Sequence, residues 1–246
     1  MTTTPWPYPR WIAHRGAGRL APENTLAAFR LGASHGYRMF ECDVKLSQDG
    51  VPFLMHDADL RRTTDGSGSG GEQAWQRLSQ LDAGSWHSRR YAGEGLPCLE
   101  NIARFCRHNG HLLNIEIKPT PGIERHTGEV VARHAARLWA NAAIAPLMTS
   151  FDIAALEGAQ ATAPALPRGL LLDKARADWL DTARQLACVA VVCHYSLWDT
   201  DTVAAAHGAG LRCLSYTVND EWIAHRLNTL GTDGIITDRI DLFSPA

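Results

Sequence analysis

The chain has 246 residues, of which 45% are hydrophobic and 20% are charged, and its formal net charge is −2 with the histidines neutral. This composition is typical of an ordered globular protein, and a weakly acidic chain without a long Lys/Arg run argues against a nucleic-acid partner. No apolar stretch approaches the roughly 18 residues that a membrane span requires, so we expect no stable membrane association.

The start of the chain and its cysteines bear on the cellular compartment. The first ten residues lack the charged and apolar regions of a signal peptide, so a cytoplasmic location is expected. The six cysteines form no C-x-x-C pair, and most of them lie in apolar runs. This pattern predicts buried reduced thiols rather than a zinc site. The oligomeric state stays open.

The first part of the chain predicts two strands and a hairpin. Residues 11–14 form the first strand and residues 38–44 the second, and a helix between them can be capped by Asn24 or Thr25. The Asp49-Gly50 turn signal then connects the second strand to a short apolar run. Because so short a connection can join antiparallel strands but not parallel ones, this run is expected to return along the second strand.

Further along the chain, helices and strands alternate six times. The predicted helices span residues 99–108, 123–140, 152–163, 176–187, 199–208 and 219–230. The predicted strands span residues 111–117, 146–150, 168–172, 189–193, 211–217 and 234–237. Eight parallel strands that alternate with helices predict a single α/β domain over residues 1–246, a (βα)8 TIM barrel, which takes about 250 residues.

Residues 58–98 interrupt this alternation. They are rich in glycine and serine and contain one short amphipathic stretch near residues 72–81. Trp75, Trp86 and Tyr91 within the segment favour packing over disorder. The sequence therefore predicts a small inserted cap on the barrel.

Polar side chains are expected at the carboxyl ends of the barrel strands. Glu41 and Asp43 share one face of their strand because side chains alternate along it, and Glu116 has the equivalent place on the strand at 111–117. Three converging carboxylates repel one another, and a bound divalent cation is the simplest resolution. Oxygen ligands favour Mg²⁺ or Ca²⁺. The alternative is a structural ion pair between Glu41 and Lys118 inside the barrel.

A series of short motifs covers the chain from about residue 11 to 240, and together they are highly specific although each alone is weak. These motifs are His14-Arg15-Gly16, Pro22-Glu23-Asn24-Thr25, Glu41-x-Asp43, Asp49-Gly50, His56-Asp57, Leu81–Trp86, Glu116-Ile117-Lys118-Pro119, Ser150-Phe151, Tyr216–Asn219 and Asp233–Asp238. The series resembles the glycerophosphodiester phosphodiesterases, most of all their cytoplasmic bacterial members. The resemblance implies a TIM barrel with an insertion at 58–98 that cleaves glycerophosphodiesters to sn-glycerol 3-phosphate and an alcohol.

The resemblance also implies roles for individual residues. Glu41, Asp43 and Glu116 match the family's metal ligands, and His14 and His56 match its general acid and base. A histidine pKa near 6.5 suits both tasks at neutral pH, although a lone histidine is more often a core residue bonded to a backbone carbonyl.

Two cations match the residues that bind the substrate phosphate. The guanidinium of Arg15 fits two phosphate oxygens as a fork, and Lys118 offers a point charge.

Five further residues are weaker candidates. Glu23 and Asn24 are either a helix start or supports close to the site. Trp86, Phe151 and Tyr216 are candidates to line the pocket for the glycerol or the leaving group, and each is equally suited to a core position.

Two other functions stay open at this point. A lysophospholipase D would act on the same headgroup with an acyl chain attached, and an exposed apolar groove beside the site would favour it. A catalytically inactive barrel that binds phosphodiesters would have lost a ligand or a histidine, whereas all five are present. The nucleophile is either water held by the cation or the substrate's own 2-hydroxyl, since no G-x-S-x-G elbow or P-loop is found.

Overall fold

The structure, a computed structural model, describes residues 6–245. Its strands in this range are β1 (Trp11–Ala13), β2 (Met39–Leu46), β3 (Pro52–Leu54), β4 (Leu112–Ile117), β5 (Leu147–Ser150), β6 (Arg168–Leu172), β7 (Ala190–His194), β8 (Arg212–Tyr216) and β9 (Gly234–Thr237). Its α-helices are α1 (Leu26–Ser34), α2 (Trp75–Leu78), α3 (Leu99–His108), α4 (Glu124–Leu138), α5 (Ile153–Thr162), α6 (Trp179–Gln185), α7 (Thr200–Gly208) and α8 (Glu221–Leu230).

Eight parallel strands close into a barrel. The neighbours run β1, β2, β4 and then in chain order to β9, which pairs back with β1. The strand β3 is the exception, because it lies antiparallel to the outer end of β2, with Leu46 opposite Pro52. This arrangement confirms the predicted (βα)8 barrel and the predicted hairpin return.

One predicted helix is shorter than expected, and the inserted segment contains little α-helix. The amphipathic stretch near 72–81 is helical only in the four residues of α2, which follows a glycine-rich run and begins without a side-chain cap. The helix predicted over 176–187 is α6, which begins at Trp179 and is followed by Ala187 in the left-handed region, with φ 47°. A β-carbon disfavours that conformation, so the helix cannot continue through it.

The barrel interior changes character along its axis. Near the amino ends of the strands it is filled by apolar side chains such as Ile12, Met39 and Leu147. The N-terminal segment covers this end, where the Tyr8 hydroxyl donates to the Ala145 carbonyl over 2.8 Å. The carboxyl ends carry the buried polar side chains instead, so the chemistry is confined to that face of the barrel.

The inserted segment at 58–98 is folded and packed on the hairpin. Besides α2 it contains three short 3₁₀ helices at Leu60–Arg62, Gly70–Glu72 and Arg89–Tyr91. Its apolar residues form a cluster with two hairpin residues: Phe53, Met55, Leu60, Leu78, Ala83 and Leu96. The backbone N–H of Ala27 donates to the Glu94 carboxylate over 2.9 Å, which joins the segment to α1 as well. The segment therefore packs against both the hairpin and the start of α1.

The cysteines agree with the expectation from the sequence. All six are free thiols, and five are buried. In the described part of the chain, we find no helix with the length and apolar character that a membrane crossing needs.

Candidate active site

Three carboxylates meet at the carboxyl ends of β2 and β4. Glu41 and Asp43 lie on β2, and Glu116 lies beside Asp43 in the register of the two strands. One oxygen from each residue lies within 4.8 Å of the others, and Glu41 and Asp43 are buried. The alternation along β2 and the parallel pairing with β4 thus produce the cluster that the sequence predicts.

The electrostatics of the cluster favour a bound cation. Burial, together with Asp43, raises the pKa of Glu116 to about 7, and burial raises the pKa of Glu41 well above its usual value. Burial would also raise the pKa of Asp43, but Arg15 and Lys118 outweigh it and hold the pKa at about 2.

One oxygen in the cluster provides a direct test of whether a metal fits. Glu41 Oε1 is buried and has no hydrogen-bond partner among the described residues. Leaving such an acceptor unpaired is costly, and a hard cation would satisfy it. The oxygen-only donor set therefore fits Mg²⁺ or Ca²⁺.

His14 forms a pair with an aspartate from the last strand. Its Nδ1 lies 2.6 Å from Asp238 Oδ1, and its Nε2 lies 3.8 Å from Glu41 Oε2. Asn219 holds Asp238 by donating to Oδ2 over 2.9 Å and accepting from the Asp238 backbone N–H. The sequence analysis gave Asp238 and Asn219 no role. The contact follows from barrel closure, which places Ala13 in register with Thr237 and so makes neighbours of the residues that follow them.

His56 forms a second pair at the end of the hairpin. Its Nδ1 lies 2.6 Å from Asp57 Oδ1. Burial lowers the pKa of His56, an effect that Asp43 opposes and Arg15 reinforces. The neutral imidazole is thus favoured, with its Nδ1 bonded to Asp57.

Arg15 is held at the centre of the cluster by carboxylates. Its Nη1 donates to Glu23 over 2.8 Å, its Nε lies 3.2 Å from Asp43 Oδ2, and its backbone N–H donates to Glu41. Its φ of 49° is left-handed, which a non-glycine residue adopts at a cost of order 1–3 kcal/mol. This conformation directs both the backbone N–H and the side chain of Arg15 towards the cluster. The next residue, Gly16, is required by packing, since a Cβ there would lie 2.9 Å from the Cβ of Ala28.

Asn24 supports the cluster rather than the helix that follows it. Its side-chain amide donates to Asp43 Oδ2 over 2.8 Å and accepts from the Asp43 backbone N–H. The helix cap is supplied instead by Thr25, whose hydroxyl accepts from the Ala28 backbone N–H. Asn24 therefore lies close to the site as a support, and Thr25 starts the helix.

Lys118 pairs with two of the carboxylates. Its Nζ lies 3.2 Å from Glu116 and 3.7 Å from Asp43. Lys118 therefore pairs with these two residues and not with Glu41, as the alternative of a structural ion pair required.

Lys45, which the sequence analysis did not consider, is buried in the same interior. Its Nζ is 3.5 Å from the Lys118 carbonyl, and burial lowers its pKa. Its place on β2, on the same face as Glu41 and Asp43, could have been predicted from the alternation of side chains along a strand.

The three aromatic candidates occupy different places. Phe151 follows β5 and Tyr216 ends β8, and their ring centroids are 5.7 Å apart at an interplanar angle of 88°. The Tyr216 hydroxyl donates to the Leu172 carbonyl over 2.9 Å. Trp86 is exposed on the inserted segment, and its ring contact is with His87.

A second group of potential metal ligands lies near the amino ends of β8 and β9 and consists of His207, Cys213 and Asp233. Arg212 and His207 bond the Asp233 carboxylate over 3.0 and 2.9 Å, and the Cys213 backbone N–H donates to it over 2.8 Å. Both carboxylate oxygens are therefore bonded within the protein, and the group joins α7 to the barrel.

Comparisons with known proteins cover nearly the whole chain. A model of the glycerophosphoryl diester phosphodiesterase family matches residues 14–242. A glycerophosphodiester phosphodiesterase of Caldanaerobacter subterraneus subsp. tengcongensis is 30% identical over 231 residues, which are 92% of this chain and 93% of that protein.

Solved structures agree with this result. A phosphodiesterase of Oleispira antarctica, in complex with the product sn-glycerol-3-phosphate, is 35% identical with a TM-score of 0.87, over 94% of this chain and 93% of that one. A glycerophosphodiester phosphodiesterase of Agrobacterium tumefaciens is 28% identical with a TM-score of 0.80, over 97% of this chain and all of that one (100%).

Proposed function

The chain belongs to the glycerophosphoryl diester phosphodiesterase family, and from this premise we propose that it hydrolyses glycerophosphodiesters to sn-glycerol 3-phosphate and an alcohol with the help of a divalent cation. The observation that carries the proposal is the convergence of three carboxylates and two histidine–aspartate pairs on one face of the barrel. The product bound to the Oleispira protein supports the choice of substrate.

The cation would be held by Glu41, Asp43 and Glu116, and we propose Mg²⁺ or Ca²⁺. When bound, it supplies positive charge that stabilises developing negative charge and lowers the pKa of a bound hydroxyl. The raised pKa values of Glu41 and Glu116 support this proposal, since the site without a cation carries more negative charge than its surroundings tolerate.

Arg15 and Lys118 would bind the phosphate. Glu23 and Asp43 contact Nη1 and Nε of Arg15, which leaves its Nη2 to donate to a phosphate oxygen. Lys118 sits at the same rim, and its two carboxylate partners orient its ammonium group. Because Arg15 and Lys118 are held by charged partners before the substrate arrives, little ordering remains for the binding step.

We assign the general base to His56 and the general acid to His14. The lowered pKa of His56 favours the neutral form, and Asp57 on Nδ1 leaves Nε2 free to accept a proton. As the nucleophile attacks phosphorus, its proton passes to His56. The bond from phosphorus to the alcohol oxygen breaks, and that oxygen takes a proton from His14 Nε2. Asp238 on Nδ1 orients the ring for this transfer.

The nucleophile is proposed to be the glycerol 2-hydroxyl of the substrate. A hydroxyl tethered beside the phosphate needs no separate positioning, whereas water must be captured. Attack would give a cyclic glycerol phosphate, which water then opens with the two histidines in exchanged roles. Each histidine thereby returns to its starting protonation state.

Phe151 and Tyr216 would line the alcohol side of the site. Both stand at the carboxyl face, and their perpendicular rings form an apolar corner beside the strand that carries Lys118. Trp86 is proposed to contact the alcohol from the inserted segment.

The test is glycerol 3-phosphate release from a panel of choline, ethanolamine and glycerol diesters, with and without chelator and with Mg²⁺ or Ca²⁺ added back. We expect release that stops on chelation and returns with the cation. A lysophospholipid arm tests the lysophospholipase D alternative. Full activity of enzyme confirmed to be metal-free would contradict the metal proposal, and no release from any diester would contradict the function.

A further inference from the structure

One arginine of the inserted segment bonds two carboxylates of the catalytic face. Arg62 donates from Nε and Nη2 to Asp57, over 2.5 and 3.1 Å, and from Nη1 and Nη2 to Glu23, over 2.8 Å each. A guanidinium matches carboxylates as a planar fork, and here the same fork serves both. The geometry fixes Asp57 and Glu23 relative to each other.

Each of these carboxylates also holds a residue of the proposed reaction. Asp57 bonds Nδ1 of His56, and Glu23 bonds Nη1 of Arg15. An unbroken series of hydrogen bonds therefore runs from the proposed base, through the inserted segment, to the proposed phosphate ligand. Arg62 is the middle of this series.

We infer that Arg62 is a positioning residue for both halves of the reaction, one that acts on proton transfer through Asp57 and on phosphate binding through Glu23. The inference rests on the proposed function, because it uses the roles given there to His56 and Arg15. Without the guanidinium, Asp57 and Glu23 are two like charges that repel, and each is free to leave its partner.

The charges around His56 are consistent with this role. The Arg62 hydrogen bonds keep the pKa of Asp57 low, so Asp57 stays ionised and holds the His56 ring. The other charged groups that act on His56 are Asp43, Arg15 and Lys118. Those three lie in the barrel, whereas Arg62 lies in the inserted segment and acts on His56 through Asp57.

Stability and catalysis should respond differently to the loss of Arg62. Its side chain is 45% exposed, and ion pairs at such sites contribute little to folding. Carboxylates that hold a metal-bound histidine, by contrast, are typically worth about 10- to 100-fold in affinity or activity. Arg62 holds the carboxylate that bonds His56, and we expect an effect of the same order. A variant at this position is therefore expected to fold normally and to turn over slowly.

The experiment compares Arg62→Gln with Arg61→Gln in the full-length, metal-loaded enzyme. Arg61 is the matched control, since it is the adjacent residue, is 75% exposed, and bonds Asp59 rather than Asp57 or Glu23. We expect Arg62→Gln to lower kcat about 10- to 100-fold and to raise KM, with the melting temperature and metal content unchanged. Arg61→Gln should match the wild type in all four measurements.

Two single-arm variants separate the two effects. Asp57→Asn keeps the Arg62–Glu23 contact and should lower kcat with little change in KM. Glu23→Gln keeps the Arg62–Asp57 contact and should mainly raise KM. Adding Arg62→Gln to Asp57→Asn should lower kcat no further, because both changes interrupt the same path. Arg62→Lys keeps the charge but not the fork, so it should restore part of kcat.

The inference is overturned if Arg62→Gln keeps kcat and KM within twofold of the wild type, or if its loss of rate equals its loss of folded protein. It is also overturned if the losses of Arg62→Gln and Asp57→Asn multiply in the double variant. His56→Ala serves as the reference for the function itself. A slow His56→Ala beside a normal Arg62→Gln refutes only the inference, whereas a normal His56→Ala refutes the proposed mechanism.

Discussion

The two histidine–aspartate pairs have the same local geometry, with 2.6 Å between Nδ1 and the carboxylate, but the chain builds them in opposite ways. His14 and Asp238 are 224 residues apart and meet because β1 pairs with β9 when the barrel closes. His56 and Asp57 are adjacent in sequence, and their surroundings come from the hairpin and from Arg62 of the inserted segment.

One pair is therefore positioned by closure of the barrel, and the other by local contacts with Arg62 of the inserted segment. The side chain of His14 is 17% exposed and that of His56 is 33% exposed, so the second pair is the more open to solvent. A residue fixed by barrel closure can move only if the barrel deforms. A residue fixed by an inserted segment can be retuned by a change in that segment, which is where loops commonly adjust function on a fixed scaffold.

The largest expected effect tests which proton the base removes. A substrate that lacks the glycerol 2-hydroxyl should turn over about 10⁵-fold more slowly, since a well-oriented internal group can be worth about 7 kcal/mol. Phosphorus NMR of the parent reaction should show a cyclic glycerol phosphate. A deoxy analogue cleaved as fast as the parent would exclude internal attack and leave water as the nucleophile.

Removal of either imidazole should have the next largest effect. His14→Ala and His56→Ala should each lose about 10²- to 10⁴-fold in kcat/KM, the usual contribution of a general acid or base. Wild-type kcat/KM should be bell-shaped in pH, because one ring must be protonated and the other neutral.

Added imidazole sharpens the comparison between the two variants. Because His56 is the more exposed, free imidazole should restore more activity to His56→Ala than to His14→Ala. Equal rescue would mean that the two positions are equally open. A normal rate in either variant without imidazole would remove that histidine from the mechanism.

Loss of each aspartate charge should have a smaller effect than loss of the histidine. Asp238→Asn and Asp57→Asn should each lower kcat about 10- to 100-fold, since the ring keeps a hydrogen-bond partner but loses the carboxylate that orients it. Steady-state kinetics at saturating cation measures this effect. If Asp238→Asn leaves kcat unchanged, His14 does not depend on Asp238 and the two pairs are not equivalent.

The sequence was sufficient for those parts of the site that follow strand periodicity. Glu41, Asp43 and Glu116 could be placed together because alternation on a strand and the parallel register are regular, and the structure groups them as expected. The order of strands and helices was predictable for the same reason. The ends of α2 and α6 were not, because they depend on caps and on one left-handed alanine at 187.

Contacts that depend on closure and on irregular backbone were missed. The pairing of His14 with Asp238 requires knowing that the last strand returns to the first, and no local pattern near either residue states it. Arg62 lies in a short 3₁₀ helix within a glycine-rich segment, where neither a helical nor a strand period applies. No sequence pattern therefore indicates the bonds that its guanidinium makes.

The smallest expected effect compares the two aspartates through stability. Burial alone would raise the pKa of Asp238, but the hydrogen bond and charge of His14, with Asn219, lower it to about 2 from an ordinary 3.8. A depressed carboxylate pKa stabilises the fold above the unfolded pKa, and this contribution disappears as the pH falls from about 4 towards 2. A shift of this size corresponds to on the order of 2 kcal/mol.

Denaturant unfolding of the wild type and Asp238→Asn at pH 7 and pH 3 measures this contribution. The wild type should be more stable than Asp238→Asn by up to about 2 kcal/mol at pH 7, and the difference should shrink at pH 3 as the carboxylate gains a proton. Asp57→Asn should change stability less at both pH values, because Arg62, which lowers the pKa of Asp57 most, is itself half-exposed and screened by solvent. If Asp57→Asn lowers the free energy of unfolding as much as Asp238→Asn does, the contacts of Arg62 with Asp57 stabilise the fold as much as the contacts made by barrel closure.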